Sequence, residues 1–199
     1  MTHDLAEQTR NAFEFVEKLY FEVSYLIKEI EGLLAREEEQ FQILKPSGYG
    51  VTTRNSVGLE PVNVEQWLTK NLTVFFCPEI DTETKGGQTI TPIKTDLKVL
   101  FVHIRLIHKD INQPQIIFGV LENIKNKKEE TKFEKLTFEF AYNIEKVLNN
   151  QPNIDFEDTY CSFKGKKKTE ELFSLKNSDD VAEKVVVKLL EMYRRCTDE

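Results

Sequence analysis

Among the residues able to do chemistry, His103 and Arg105 come first because they interrupt one face of the longest apolar run, Leu97–Ile107. The even positions Leu100, Val102, Ile104 and Leu106 are apolar throughout, and the odd positions Leu97, Val99, Phe101 and Ile107 surround the polar pair. Alternate residues of a strand share a face, so imidazole and guanidinium would lie on the same side. The next apolar run, Gln115–Leu121, follows a segment carrying Asp110, Asn112 and Pro114, which is loop chemistry. Two such runs across a short loop predict an antiparallel hairpin. Pairing Leu106 with Ile116, Ile104 with Phe118 and Val102 with Val120 matches the apolar faces. It sets His103 opposite Gly119 and Arg105 opposite Ile117, and the missing side chain at Gly119 would leave a pocket floor for an anion. A two-residue slip would keep the faces and move the glycine. The plainer explanation is a bulge at Gly119, with His103 and Arg105 meeting acids of a covering helix.

A second constellation points to metal-dependent phosphodiester hydrolysis. Such chemistry needs carboxylates and a lysine at neighbouring strand ends, to hold Mg²⁺ and orient water. Glu79, Asp81 and Asp96 flank a long connection, and Glu122 with Lys125 closes the second central strand. Three residues apart, Glu122 and Lys125 would face opposite sides unless the strand bends. With 31% of residues charged, sets of this kind also arise by chance.

The third candidate is basic. Lys164, Lys166, Lys167 and Lys168 cluster around Gly165 and read as a loop that would neutralise phosphates of a nucleic acid, with binding that weakens as salt rises. Lysines in loops are more often merely solvated, and a net charge of −7 argues against a general nucleic-acid coat. Nucleophilic and cofactor signatures are missing. There is no GxSxG elbow, and Lys45–Gly50 matches neither phosphate-loop pattern. Cys77, Cys161 and Cys196 have no CxxC spacing, so neither a zinc set nor a disulfide framework is expected. No metal or other cofactor is expected, Mg²⁺ excepted under the hydrolase reading.

The elements that must position these residues follow from periodicity. Ala12/Phe13, Val16, Leu19/Tyr20, Val23, Leu26/Ile27, Ile30 and Leu33/Leu34 recur at three- and four-residue steps, which predicts one long helix over Leu5–Glu39. It is longer than a small domain needs, so part of it is expected to project and pair with a second copy. Strands are predicted at Phe41–Leu44, Leu72–Cys77, the central hairpin and Thr159–Phe163. A capping box at Asn63–Gln66 predicts a short helix carrying Trp67, and further helices are predicted from Glu129 to Asn149 and from Ser178 onward, with Ser178 as cap. The segment Glu79–Lys94, with Gly86-Gly87 and Pro92, is the expected lid or partner loop.

The whole chain, 1–199, therefore reads as a single α+β domain: an antiparallel or mixed sheet of about five strands, packed by helices, with 1–40 forming a long helix that extends into a dimer interface. Neither a signal peptide nor a membrane span is visible, and a cytoplasmic setting is expected. The reading with the fewest coincidences is a non-catalytic interaction or regulatory domain, homo-oligomeric through its first helix, with a protein partner. A nuclease-like hydrolase and a nucleic-acid binder using lysine-rich loops are the alternatives.

Overall fold

The computed structural model describes residues 2–44, 70–85, 88–90, 97–108, 111–127, 139–140 and 142–195. The glycine turn at Lys45–Gly50, the Asn63–Gln66 box, Asp96, Cys196 and the first half of the helix expected from Glu129 lie outside these residues. The fold is α+β. It runs α1 (Thr2–Leu34), β1 (Phe41–Ile43), β2 (Asn71–Pro78), β3 (Glu83–Lys85), β4 (Gln88–Ile90), β5 (Val99–Arg105), β6 (Gln115–Asn126), α2 (Ile144–Val147), β7 (Asn153–Glu157), β8 (Cys161–Glu171), α3 (Ser178–Val181) and α4 (Val187–Arg195). A single π-helical turn, Ala182–Val186, joins α3 to α4.

Six strands form one sheet in the order β1-β2-β5-β6-β8-β7, every neighbouring pair antiparallel. The count is one above expectation because β7 and β8 are separate strands. β3 and β4 form a two-stranded hairpin of their own within the long connection after β2. β5 and β6 are the two central strands, and all seven residues of β5 are buried.

One face of the sheet carries Phe76, Leu100, Val102, Ile104, Ile116, Phe118 and Val120. Helix α1 covers it with Val23, Ile30 and Leu34, and the C-terminal helices add Val181, Val185, Leu189 and Met192, spaced as one helical stripe. Helix α1 ends earlier than expected. The amides of Arg36 and Glu37 bond back to the carbonyls three residues earlier, and Gln40 adopts a φ of 48° to turn the chain into β1. Glu37 and Glu39 accept from the Arg194 guanidinium at 3.0 and 3.2 Å, tying α4 to the end of α1. The cap of α3 is also one residue earlier than expected. Asn177 Oδ1 accepts from the Asp180 amide, while the Ser178 hydroxyl donates to Glu29.

The opposite face is covered by the segment around α2. Phe140 packs its ring 5.3 Å from Phe75 and 5.2 Å from Phe101, and Ile144, Val147 and Leu148 continue the contact. This cover stops at Leu148, where Asn149–Pro152 turns the chain into β7. Among the described residues, the cover lies over Phe75 and Phe101.

Candidate functional site

The end of the sheet where β5 finishes holds the polar pair. Strand β5 finishes at Arg105, and beyond it the amides of Leu106 and Ile107 bond to the Lys70 carbonyl, continuing the contact with the β2 side. The register with β6 is shifted by two residues from the sequence expectation. His103 lies opposite Ile117, Arg105 opposite Gln115, and Phe101 opposite Gly119. Gly119 thus leaves no gap beside the imidazole. A β-carbon there would stand 2.1 Å from the Lys166 carbonyl oxygen and 2.9 Å from the Lys167 Cα. The glycine is required by the close approach of β8.

His103 and Arg105 do share a face, as expected; Glu129, Glu130 and Glu134 of the helix expected to cover them lie outside the described residues. His103 is 0% exposed, with Nδ1 2.8 Å from the Thr73 hydroxyl and Nε2 without a hydrogen-bond partner. Burial, reinforced by the Arg105 charge, pulls its pKa down to about 3, so the ring is neutral near pH 7. Arg105 is 7% exposed and its Nη2 also lacks a partner. A buried charge left unpaired costs several kcal/mol, and so does each buried donor without an acceptor. Polar groups held this way call for a reason, and a ligand is one.

Arg105 lines a cavity of about 600 Å³ at this end of the sheet. Gln115 and Ile117 of β6 and Lys167 of β8 form its floor with Arg105, and Asn149–Pro152, the turn that ends the α2 cover, forms a wall. The side chain of Lys167 is directed inward, 8% exposed, and its Nζ reaches the Val147 carbonyl at 3.4 Å. Burial first, and then the Arg105 charge, hold its ammonium below the ordinary lysine pKa. His108 also borders the cavity. No Asp or Glu is among the described residues that line it. Among the described residues, the arrangement offers positive charge and amide donors without a carboxylate base.

The lysine cluster is not a loop. Cys161–Glu171 is an eleven-residue strand, and the run splits by strand alternation. Lys167 faces inward with Phe163 and Gly165, while Lys164, Lys166 and Lys168 are exposed on the other side. Lys164 stands between Glu122 of β6 and Asp155 of β7 in the register, so that exposed face is of mixed charge.

The hydrolase candidates are partly brought together. A bulge between Glu122 and Lys125, with Asn123 at a φ of 52°, resets the alternation of β6. Glu122 then pairs with Lys164 and Lys125 with Ser162, which places both on one face rather than on opposite ones. Glu79 and Asp81 lie in a short turn after β2, separated from β6 by β5, so roughly 10 Å of sheet intervenes. Among the described residues, no group of three or more His, Cys, Asp or Glu side chains is placed to hold a metal ion.

The Asn149–Gln151 wall is the part of the site that sequence reasoning missed. The sequence reading includes Lys167 among the phosphate-neutralising residues, but in a loop; strand alternation through Phe163, Gly165 and Lys167 is the signal that would have set it apart from its neighbours. No helix among the described residues is long and apolar enough to cross a membrane. Comparison with protein-family models, with curated proteins and with solved structures found no match.

Proposed function

We propose that the protein is a non-catalytic interaction or regulatory domain, cytoplasmic, that works as a homodimer paired through α1. The observation that carries this reading is the continuation of the α1 stripe beyond the domain. Among the described residues, the α1 side chains buried in the core begin at Val23, yet the same three- and four-residue spacing runs back through Leu19, Val16 and Ala12. Leu5, Phe13, Phe15 and Phe21 are all more than half exposed along that stretch. Residues 4–22 amount to roughly 28 Å of helix at about 1.5 Å per residue. Isolated helices of this length are marginal in water, and packing of an amphipathic face is what normally stabilises them. A second copy offers the same stripe, and two-fold pairing of identical surfaces is the commonest solution.

Sedimentation equilibrium on the full chain tests the reading. The wild type is expected to be a dimer at micromolar concentration, and Phe13→Glu with Phe21→Glu is expected to give a monomer with an unchanged sheet core. A wild type that stays monomeric at 100 µM would sink it. The mixed charge around Lys164 gives a nucleic-acid reading no comparable support, and the hydrolase reading has only Glu122 and Lys125 on a common face.

A further inference from the structure

Beyond self-association, we propose that the cavity between Arg105 and Lys167 is a binding site for the dianionic phosphoryl group of a small phosphorylated molecule. Three observations carry it. The first is that Arg105 is more than nine-tenths buried, lines the cavity and leaves Nη2 without a partner. A guanidinium N–H held out of water in this way is a donor prepared for an oxygen acceptor, and arginine is the residue best matched to phosphate. The second is the charge count. Arg105 and Lys167 come from β5 and β8 into one cavity that Lys168 also borders, they are close enough for Arg105 to depress the Lys167 ammonium, and the described lining contains no carboxylate. Cations whose described surroundings hold no counter-charge suit a dianion, and a phosphate monoester carries nearly two negative charges near pH 7. The third is size. About 600 Å³ is far more room than a lone phosphate needs and falls within the usual range for small-molecule sites. Amides at Gln115 and along Asn149–Gln151 can hold the hydroxyls of an organic portion.

The site also has a route by which occupancy would be felt. Lys167 Nζ reaches the Val147 carbonyl, the last residue of α2, so a phosphoryl group competing for that ammonium acts on the segment that covers the second face.

Thermal unfolding of the full chain, at constant ionic strength and pH 7.5, provides the test. The probes are sodium phosphate, glycerol 3-phosphate, succinate and chloride. Ligands that bind only the native state raise the midpoint with concentration. Phosphate and glycerol 3-phosphate are expected to raise it saturably, glycerol 3-phosphate at the lower concentration, and chloride is expected to leave it unchanged. Lys167→Gln is expected to weaken the half-saturating concentration at least tenfold, and Arg105→Lys likewise, since the charge remains and the planar fork is lost. Lys164→Gln, on the opposite exposed face, is expected to match the wild type. Should the Arg105 variant fail to fold, ³¹P NMR line broadening of glycerol 3-phosphate with Lys167→Gln decides the matter. Three results would overturn the proposal: no saturable phosphate response, an equal response in Lys167→Gln, or a response to succinate as strong as that to the phosphates.

Discussion

The two faces of the six-stranded sheet are built from the same strands by different rules. On one, β5 contributes Leu100, Val102 and Ile104, its neighbours answer with Ile116, Phe118 and Val120, and α1 and α4 close over them. Every row is apolar, and buried area supplies the stabilisation directly. On the other, Val99 and Phe101 are capped by Phe140, but the next two positions on that face are His103 and Arg105. There the described surroundings are the neighbouring strands and the Asn149–Pro152 turn. The difference teaches where stability and function divide. The first face is filled by side chains that need only each other, whereas the second retains polar groups whose donors find no partner within the described structure.

The largest effect is expected on the first face. Phe118→Ala removes a fully buried ring from the middle of β6, beneath the helices. The transfer and cavity terms together should cost about 3–5 kcal/mol, read as a lower urea midpoint with little change in slope. A loss below about 1 kcal/mol would mean that this face is not the main source of stability, and the comparison would break there.

The second face should show itself in the pH dependence. His103 is held neutral down to about 3, while in the unfolded chain it gains a proton near its ordinary value of 6.5. The unfolded state therefore binds more protons between these limits. Stability is fully present above about 6.5 and is lost as pH falls through that window, by up to ~1.4 kcal/mol per pH unit. Between pH 7 and 5, before most carboxylates titrate, the wild type should lose stability and His103→Gln should lose measurably less. Parallel curves for the two proteins would show that the imidazole is not the buried, neutral group described above.

The division between the faces was only half legible in the sequence. Apolar periodicity reveals elements whose partners are also apolar, so the stripe of α4, the core half of α1 and the β5–β6 hairpin could be read directly. Register could not, because a two-residue slip preserves every face. Strand β8 was hidden for a related reason. Its outward positions Lys164, Lys166 and Lys168 meet solvent and its inward ones include Gly165 and Lys167, so an edge-side strand resembles a basic loop. Arg105 and His103 were recognisable as residues out of place. That Lys167 joins Arg105 from two strands away depends on the sheet order, which no local pattern encodes.

The smallest expected effect sets the two faces against each other most sharply. On the first face, trimming a side chain destabilises. On the second, replacing Arg105 by methionine should do the reverse in the absence of ligand. Methionine is similar in length, flexible enough to fill the space beside Ile117, and has no charge to desolvate and no donor to satisfy. Exchanging buried ionic groups for apolar ones of similar volume is neutral to stabilising by about 1–4 kcal/mol in known cases, and the absence of a carboxylate partner in the described lining places Arg105 at the favourable end. The expected result is an Arg105→Met protein with a midpoint at or above that of the wild type in chloride buffer. It should also lack the phosphate-induced rise. Gain of stability with loss of binding would mark Arg105 as a residue retained for a ligand. A clear loss of stability would instead make the guanidinium part of the packing, and the second face would then be a core of the same kind as the first.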